Sequence, residues 1–268
     1  MSTATTNWQQ IFDALWQQYL KVTPSALAIH QLLSADSTIH NDHIALRTFN
    51  VKPVGLDALA APFERIGYQA KGDYQFKAKK LRAKHYEHPD PLAPKVFISE
   101  LLVEQCSAQL QAIVSSLISQ LSEDLTDSAS WVHSGRPWQV STEQYHQLID
   151  ESEYAGWLAA WGYRANHFTV NVNKLRESPE LAEVNARLQA AGFVLNGSGG
   201  LIKGSPAELL EQSSTMADQA SCQFSDGELT IPSCFYEFAK RYPMTNGELY
   251  SGFVAASADK IFESTHHS

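Results

Sequence analysis

Asp42-His43-Ile44-Ala45-Leu46-Arg47-Thr48-Phe49 is the stretch that decides how this 268-residue chain folds. Ile44 and Leu46 share one face, and His43, Ala45 and Arg47 share the other. Period-two alternation predicts a β-strand with one side packed on apolar neighbours. From His43 to Arg47 the strand runs roughly 13 Å, at about 3.3 Å per residue. That suits a metal at one end of a small acid and a clamped carboxylate at the other. A polar strand edge facing solvent fits this stretch equally well.

The pattern returns in Ala165-Asn166-His167-Phe168-Thr169-Val170-Asn171-Val172-Asn173. Phe168, Val170 and Val172 face one way; His167, Thr169, Asn171 and Asn173 face the other. A helical stripe follows each strand: Leu56, Leu59, Phe63 and Ile66 up to Gly67, then Leu181, Val184 and Leu188 up to Gly192. Extended pieces come next: residues 68–76, 81–86 and 95–101 in the first case, and 193–195, 201–203, 220–224 and 233–241 in the second. Residues 42–101 and 165–241 therefore read as a pseudo-repeat of one βαβββ-like module.

The expected fold is α+β, a single domain over residues 1–268. Two modules form one curved mixed sheet. A helical N-terminus (7–33) and a helical or irregular insertion (108–161) lie outside it. Glu100 and Glu237 fall on the last strands of the two modules, so a pseudo-twofold axis would gather His43, His167, Glu100 and Glu237 into one cup.

Composition narrows the function classes. A net charge of -9 argues against a general nucleic-acid binder. No run approaches the roughly 18 apolar residues of a membrane helix. The start of the chain lacks a basic segment followed by an apolar core, so no signal peptide is expected. Three scattered cysteines without a CxxC suggest free thiols and a reducing cytoplasm. The basic run Lys77, Lys79, Lys80, Arg82 and Lys84 reads as a solvated strand face, with anion steering as the alternative. The closing His266-His267 pair is discounted as terminal.

Two histidines and one carboxylate on separate strands make the facial triad of non-haem Fe(II) oxygenases, which leaves one face open for substrate and dioxygen. Each residue alone also fits a buried structural role. His43-x-x-x-Arg47, Asn166-His167-Phe168 and Tyr236-Glu237-Phe238, with Gly200-Leu201-Ile202-Lys203-Gly204-Ser205 and Leu210-Glu211-Gln212-Ser213-Ser214, resemble the 2-oxoadipate dioxygenase/decarboxylase family. That family is related to the vicinal oxygen chelate fold.

The resemblance implies a mononuclear Fe(II) enzyme that converts a 2-oxo diacid such as 2-oxoadipate, with dioxygen, to a 2-hydroxy acid and carbon dioxide, a step of lysine catabolism. It implies His43, His167 and Glu237 as metal ligands and Arg47 as the catalytic clamp on a substrate carboxylate. Thr169, Ser205 and Arg241 are further candidate substrate-binding positions. Zn, Ni or Mn would also fit the site as purified. Glu100 is expected near the site as a possible additional ligand. Its coordination would favour a glyoxalase-like lyase or isomerase, and a non-catalytic metal- or ligand-binding protein is the remaining alternative.

Overall fold

The computed structural model describes residues 7–34 and 38–265. The first six positions and the His266-His267 pair lie outside the described residues. The chain opens with helices α1 (Asn7–Leu20) and α2 (Pro24–Ser34). Strand β1 (Asn41–Phe49), helix α3 (Leu56–Glu64) and strands β2 (Gln69–Phe76), β3 (Leu81–Glu87) and β4 (Lys95–Leu101) follow. Three helices come next: α4 (Ala108–Ile118), α5 (Thr142–Glu151) and α6 (Glu153–Trp161). Then come β5 (Ala165–Asn171), α7 (Leu181–Ala190), β6 (Lys203–Ser205) and β7 (Leu210–Ser214). The chain ends with β8 (Gln219–Phe224), β9 (Gly227–Pro232), β10 (Phe235–Arg241) and α8 (Ala255–Ile261).

Eight strands form one mixed sheet in the order β2-β3-β4-β1-β5-β10-β7-β6. Its two halves mirror each other. Each half places its leading strand at the middle, pairs it in parallel with its own last strand, and ends outward in an antiparallel pair. The halves meet where β1 and β5 run antiparallel. The sheet belongs to the α+β class and curls around a cup.

A solvent-facing edge is thus ruled out for β1, which is central and buried along both faces. Ile44 and Leu46 face outward into the apolar layer under the helices, while His43, Ala45 and Arg47 face into the cup. α1 covers the outer face of β5 and β10. Trp16 meets Phe168 edge-on at 4.9 Å, and Tyr19 lies 5.1 Å from the same ring. The Tyr19 hydroxyl donates to the Phe235 carbonyl at 2.5 Å. Truncating a ring as buried as Phe168 to alanine would cost about 3–5 kcal/mol.

Some expected strands fall elsewhere. Leu195 makes only an isolated bridge to Thr215. Residues 220–224 lie in the β8–β9 hairpin, which forms a separate two-stranded sheet. The third strand of the second half is instead β7, whose polar Gln212-Ser213-Ser214 is fully buried. The insertion is more regular than its polar sequence suggests. Ser141 and Gln144 form a reciprocal capping box at the start of α5, and Ser152 ends α5 and caps α6.

Candidate metal centre

Register explains how the site assembles. Across the β1–β5 seam Ala45 pairs with His167 and His43 with Thr169. Across β5–β10, Phe235 pairs with His167 and Glu237 with Thr169. His43 and Glu237 therefore flank Thr169 on opposite sides, with His167 one step along the same face. All three candidate ligands are buried. One ligand atom from each can be chosen so that all lie within 4.8 Å of one another. His167 Nε2 is 3.0 Å from Glu237 Oε2, and His43 Nε2 is 3.7 Å from Glu237 Oε1. Adjacent ligands around an ion sit roughly 3 Å apart when the bonds are about 2.0–2.2 Å.

The hydrogen bonds behind the rings set their tautomers. His43 Nδ1 lies 2.8 Å from Asp42 Oδ1, and His167 Nδ1 lies 3.1 Å from Asn166 Oδ1. Both oxygens accept, so each ring holds its proton on Nδ1 and turns a bare Nε2 into the cup. The Thr169 hydroxyl sits 3.1 Å from His43 Nε2. Burial holds His167 below the usual imidazole range, although Glu237 beside it pulls the other way. For Glu237 burial would raise the carboxyl, but His167 and His43 outweigh it and keep the group ionised. Gln212 Nε2 donates to Glu237 Oε1 at 2.5 Å, whereas the buried Oε2 has no hydrogen-bond donor. A bare nitrogen facing an unpartnered carboxylate oxygen in a buried site calls for a cation between them. This donor set of two imidazoles and one carboxylate fits a divalent transition-metal ion.

The remaining wall is apolar: Ala45, Phe97, Phe253, Ala258 and Phe262. Phe253 meets the His43 ring edge-on at 4.7 Å. The cavity volume here is about 20 Å³, room for a single water. A second cavity of about 170 Å³, lined by Lys79, Lys80, Glu153 and Tyr154, shares Phe262 as a wall.

Arg47 is buried beside these cavities. Its Nη1 lies 3.1 Å from Glu153 Oε1, and Nη2 lies 3.4 Å from the Thr265 hydroxyl. The guanidinium packs on Tyr154 and Trp157, with its carbon 4.9 and 4.8 Å from the ring centres, and its Nε has no acceptor.

Other candidates sit differently. Arg241 is engaged through all three nitrogens: it forks onto Asp42 at 2.7 and 2.8 Å and donates to the carbonyls of Tyr250 and Gly252. It has no free edge for a substrate carboxylate. The Ser205 hydroxyl accepts from Glu208 N and donates to the Glu208 carboxylate, capping a short turn outside the cavity. Glu100 pairs with Thr48 in register and so faces away from the cup. There it binds Arg82 and accepts the Leu56 amide at 2.7 Å, at the start of α3. The expectation that it lies near the site is corrected: it is on the opposite face by strand parity. Sequence reading missed Asp42, Gln212 and Phe253. Asp42 stood beside His43 all along, but only contacts reveal its role.

The curled sheet has the fold of a structure described as a glyoxalase-superfamily protein. That structure, from Ralstonia eutropha, matches with a TM-score of 0.77 at 21% identity over 93% of this chain and 86% of its own. The profile of the 2-oxoadipate dioxygenase/decarboxylase family matches residues 3–248, and the chain belongs to that family. The Arabidopsis thaliana 2-oxoadipate dioxygenase/decarboxylase, a chloroplastic protein, is 35% identical over 92% of this chain and 74% of its own length. The Oryza sativa hydroxyglutarate synthase, solved with 2-oxoadipate, superposes with a TM-score of 0.90 at 34% identity, covering 96% of this chain and 91% of that one. A Shewanella frigidimarina structure described as a hydrolase superposes equally well, TM-score 0.90, at 57% identity over 95% and 100% of the two chains.

No described helix is long and apolar enough to cross a membrane. The three cysteines are free and buried. With a chloroplastic relative, a cytoplasmic location does not follow from those thiols.

Proposed function

We propose that this chain uses Fe(II), held by His43, His167 and Glu237, to decarboxylate a 2-oxo diacid oxidatively, with 2-oxoadipate as the first candidate. The observation that carries the reading is the unpartnered Glu237 Oε2 facing the bare His167 Nε2 at 3.0 Å. The rice relative's complex with 2-oxoadipate supports the choice of substrate. The overall change balances: 2-oxoadipate and dioxygen give 2-hydroxyglutarate and carbon dioxide, which would serve lysine breakdown.

When bound, the iron supplies the dioxygen chemistry; the protein supplies orientation and a dry cavity. Two neutral imidazoles and one carboxylate leave a divalent ion with one net positive charge, which the carboxylate of a 2-oxo acid cancels. Asp42 and Asn166 keep the ring protons on Nδ1, so both Nε2 lone pairs stay aimed inward. Gln212 occupies one oxygen of Glu237 and leaves the other for the metal. Phe97, Phe253 and Phe262 exclude water from the reacting carbon.

Arg47 lies further along the His43 strand face and takes the remote carboxylate of the diacid in a bidentate, charge-assisted pair. To do so it exchanges Glu153 for the substrate. Thr169, beside His43, lies within reach of a chelating acid. The test is oxygen uptake by Fe(II)-loaded protein against a panel of 2-oxo acids. Uptake with 2-oxoadipate and matching carbon dioxide release is expected. No uptake with any member would sink the reading.

A further inference from the structure

Behind His43 lies a chain of charge that His167 lacks. Asp42 Oδ1 accepts the hydrogen bond from His43 Nδ1 at 2.8 Å. Arg241 grips the same carboxylate, Nε to Oδ2 at 2.7 Å and Nη2 to Oδ1 at 2.8 Å. The other arm of that guanidinium donates to Tyr250 O at 2.9 Å and Gly252 O at 2.7 Å, and its carbon sits 5.2 Å from the Phe253 ring. Phe253 in turn packs edge-on against His43. One buried guanidinium thus ties the support of a ligand to the wall of the cavity.

The corresponding place behind His167 is neutral. Asn166 precedes His167 as Asp42 precedes His43, yet it offers only an amide oxygen at 3.1 Å, and its own Nδ2 has no partner. A carboxylate at 166 would lack the arginine that balances Asp42. The carboxylate–histidine arrangement raises the basicity of an imidazole ligand and fixes its ring; an amide does this weakly.

We propose that Asp42, clamped by Arg241, is a positioning residue that makes His43 the stronger and more rigid of the two imidazole ligands. This rests on the reading of His43 as a metal ligand, and it assigns Arg241 to the metal's support rather than to substrate.

The test uses metal-free full-length protein titrated with Co(II) alone, in competition with a coloured chelator. Loss of an outer partner of this kind weakens metal binding by about 10–100-fold. D42N is expected to show such a loss and to change the visible Co(II) spectrum, with N166A losing less. A double variant, D42N with R241M, removes both buried charges together and keeps the test open should D42N alone fail to fold; it too is expected to bind weakly.

Nitrogen NMR of the unsubstituted metal-free protein gives a readout independent of folding variants: His43 should carry its proton on Nδ1. Wild-type affinity in D42N or in the double variant, or a proton on His43 Nε2, would overturn the proposal. H43A separates the two levels. If H43A binds Co(II) as the wild type does, the metal reading itself fails. If H43A loses the metal while D42N does not, only the Asp42 role fails.

Discussion

Phe97 occupies, in the first half of the sheet, the place that Glu237 holds in the second. His43 pairs with Lys95 and His167 with Phe235, and two residues further along the same face lie Phe97 and Glu237. The cup therefore has a symmetric position for a fourth ligand, filled by a benzyl group. Phe97→Glu should slow metal loss to a chelator and abolish oxygen uptake, because the added carboxylate takes a coordination site the reaction needs. Metal should also raise the Tm of this variant more than that of the wild type, since it neutralises a new buried charge. Unchanged uptake by metal-replete Phe97→Glu would show that the position is not equivalent.

Glu100 and Glu237 should separate cleanly when each becomes glutamine. Glu237→Gln is expected to lose stoichiometric metal. Glu100→Gln should keep it and instead lower stability by about 1–3 kcal/mol, because a buried carboxylate that receives Arg82 and the Leu56 amide is replaced by a neutral group. Metal analysis and thermal melts of both variants decide the matter; the reverse pattern would put Glu100 in the site.

Arg47→Ala should leave metal content near wild type and cut kcat/KM on 2-oxo diacids by at least roughly tenfold, the factor that about 1.4 kcal/mol gives. Arg47→Lys should rescue little, since an ammonium cannot reproduce the planar fork stacked on Tyr154 and Trp157. The alanine variant also strands Glu153, so its Tm should fall, and Glu153→Gln in the same chain should restore part of the Tm without restoring turnover. Normal turnover at equal metal loading would remove Arg47 from the substrate site.

Lys203 provides a pH handle. Its side chain is buried with its Nζ on the Asn196 carbonyl, and burial lowers its pKa to about 8 despite the pull of Glu237. The unfolded chain keeps a lysine value near 10.4. Between those values the unfolded state binds more protons, so stability of the metal-free protein should rise with pH from about 8 to about 10. Below about 8 the lysine is charged in both states and the burial penalty is fully present. Lys203→Met should flatten this part of the curve and gain stability at pH 7, by on the order of 3 kcal/mol at most. Equal slopes in urea titrations of the two proteins would disprove it.

The parts of this molecule that alternate on the page are the parts that could be read from it. His43 and His167 stand on the polar sides of two clean period-two runs, and Glu237 lies between two aromatic rings that face outward. The orientation of Glu100 is not legible in the sequence, because counting toward a strand end ignores register, and an odd offset from Phe97 turns a side chain to the other face. β7 escaped because Gln212, Ser213 and Ser214 look like a loop; their burial depends on partners distant in sequence, such as Asn185, Glu237 and Ser264. Arg241 resembled a substrate anchor because a cation on the cavity strand invites that role. What reassigns it is a β-irregularity between Asn41 and His43, which lets the Asp42 carboxylate reach both the ring behind it and the guanidinium beside it.

The two four-strand halves meet at the β1–β5 seam, and the candidate ligands straddle it: His43 from one side, His167 and Glu237 from the other. An ion held there would work as a removable rivet between halves that otherwise share hydrogen bonds, packing and the Asp42–Arg241 ion pair. Its binding free energy becomes cohesion of the sheet, about 2.7 kcal/mol when free metal stands at a hundred times its dissociation constant. Starving such a protein of metal would loosen the middle of its sheet before its edges, so amide exchange should quicken first along β1 and β5.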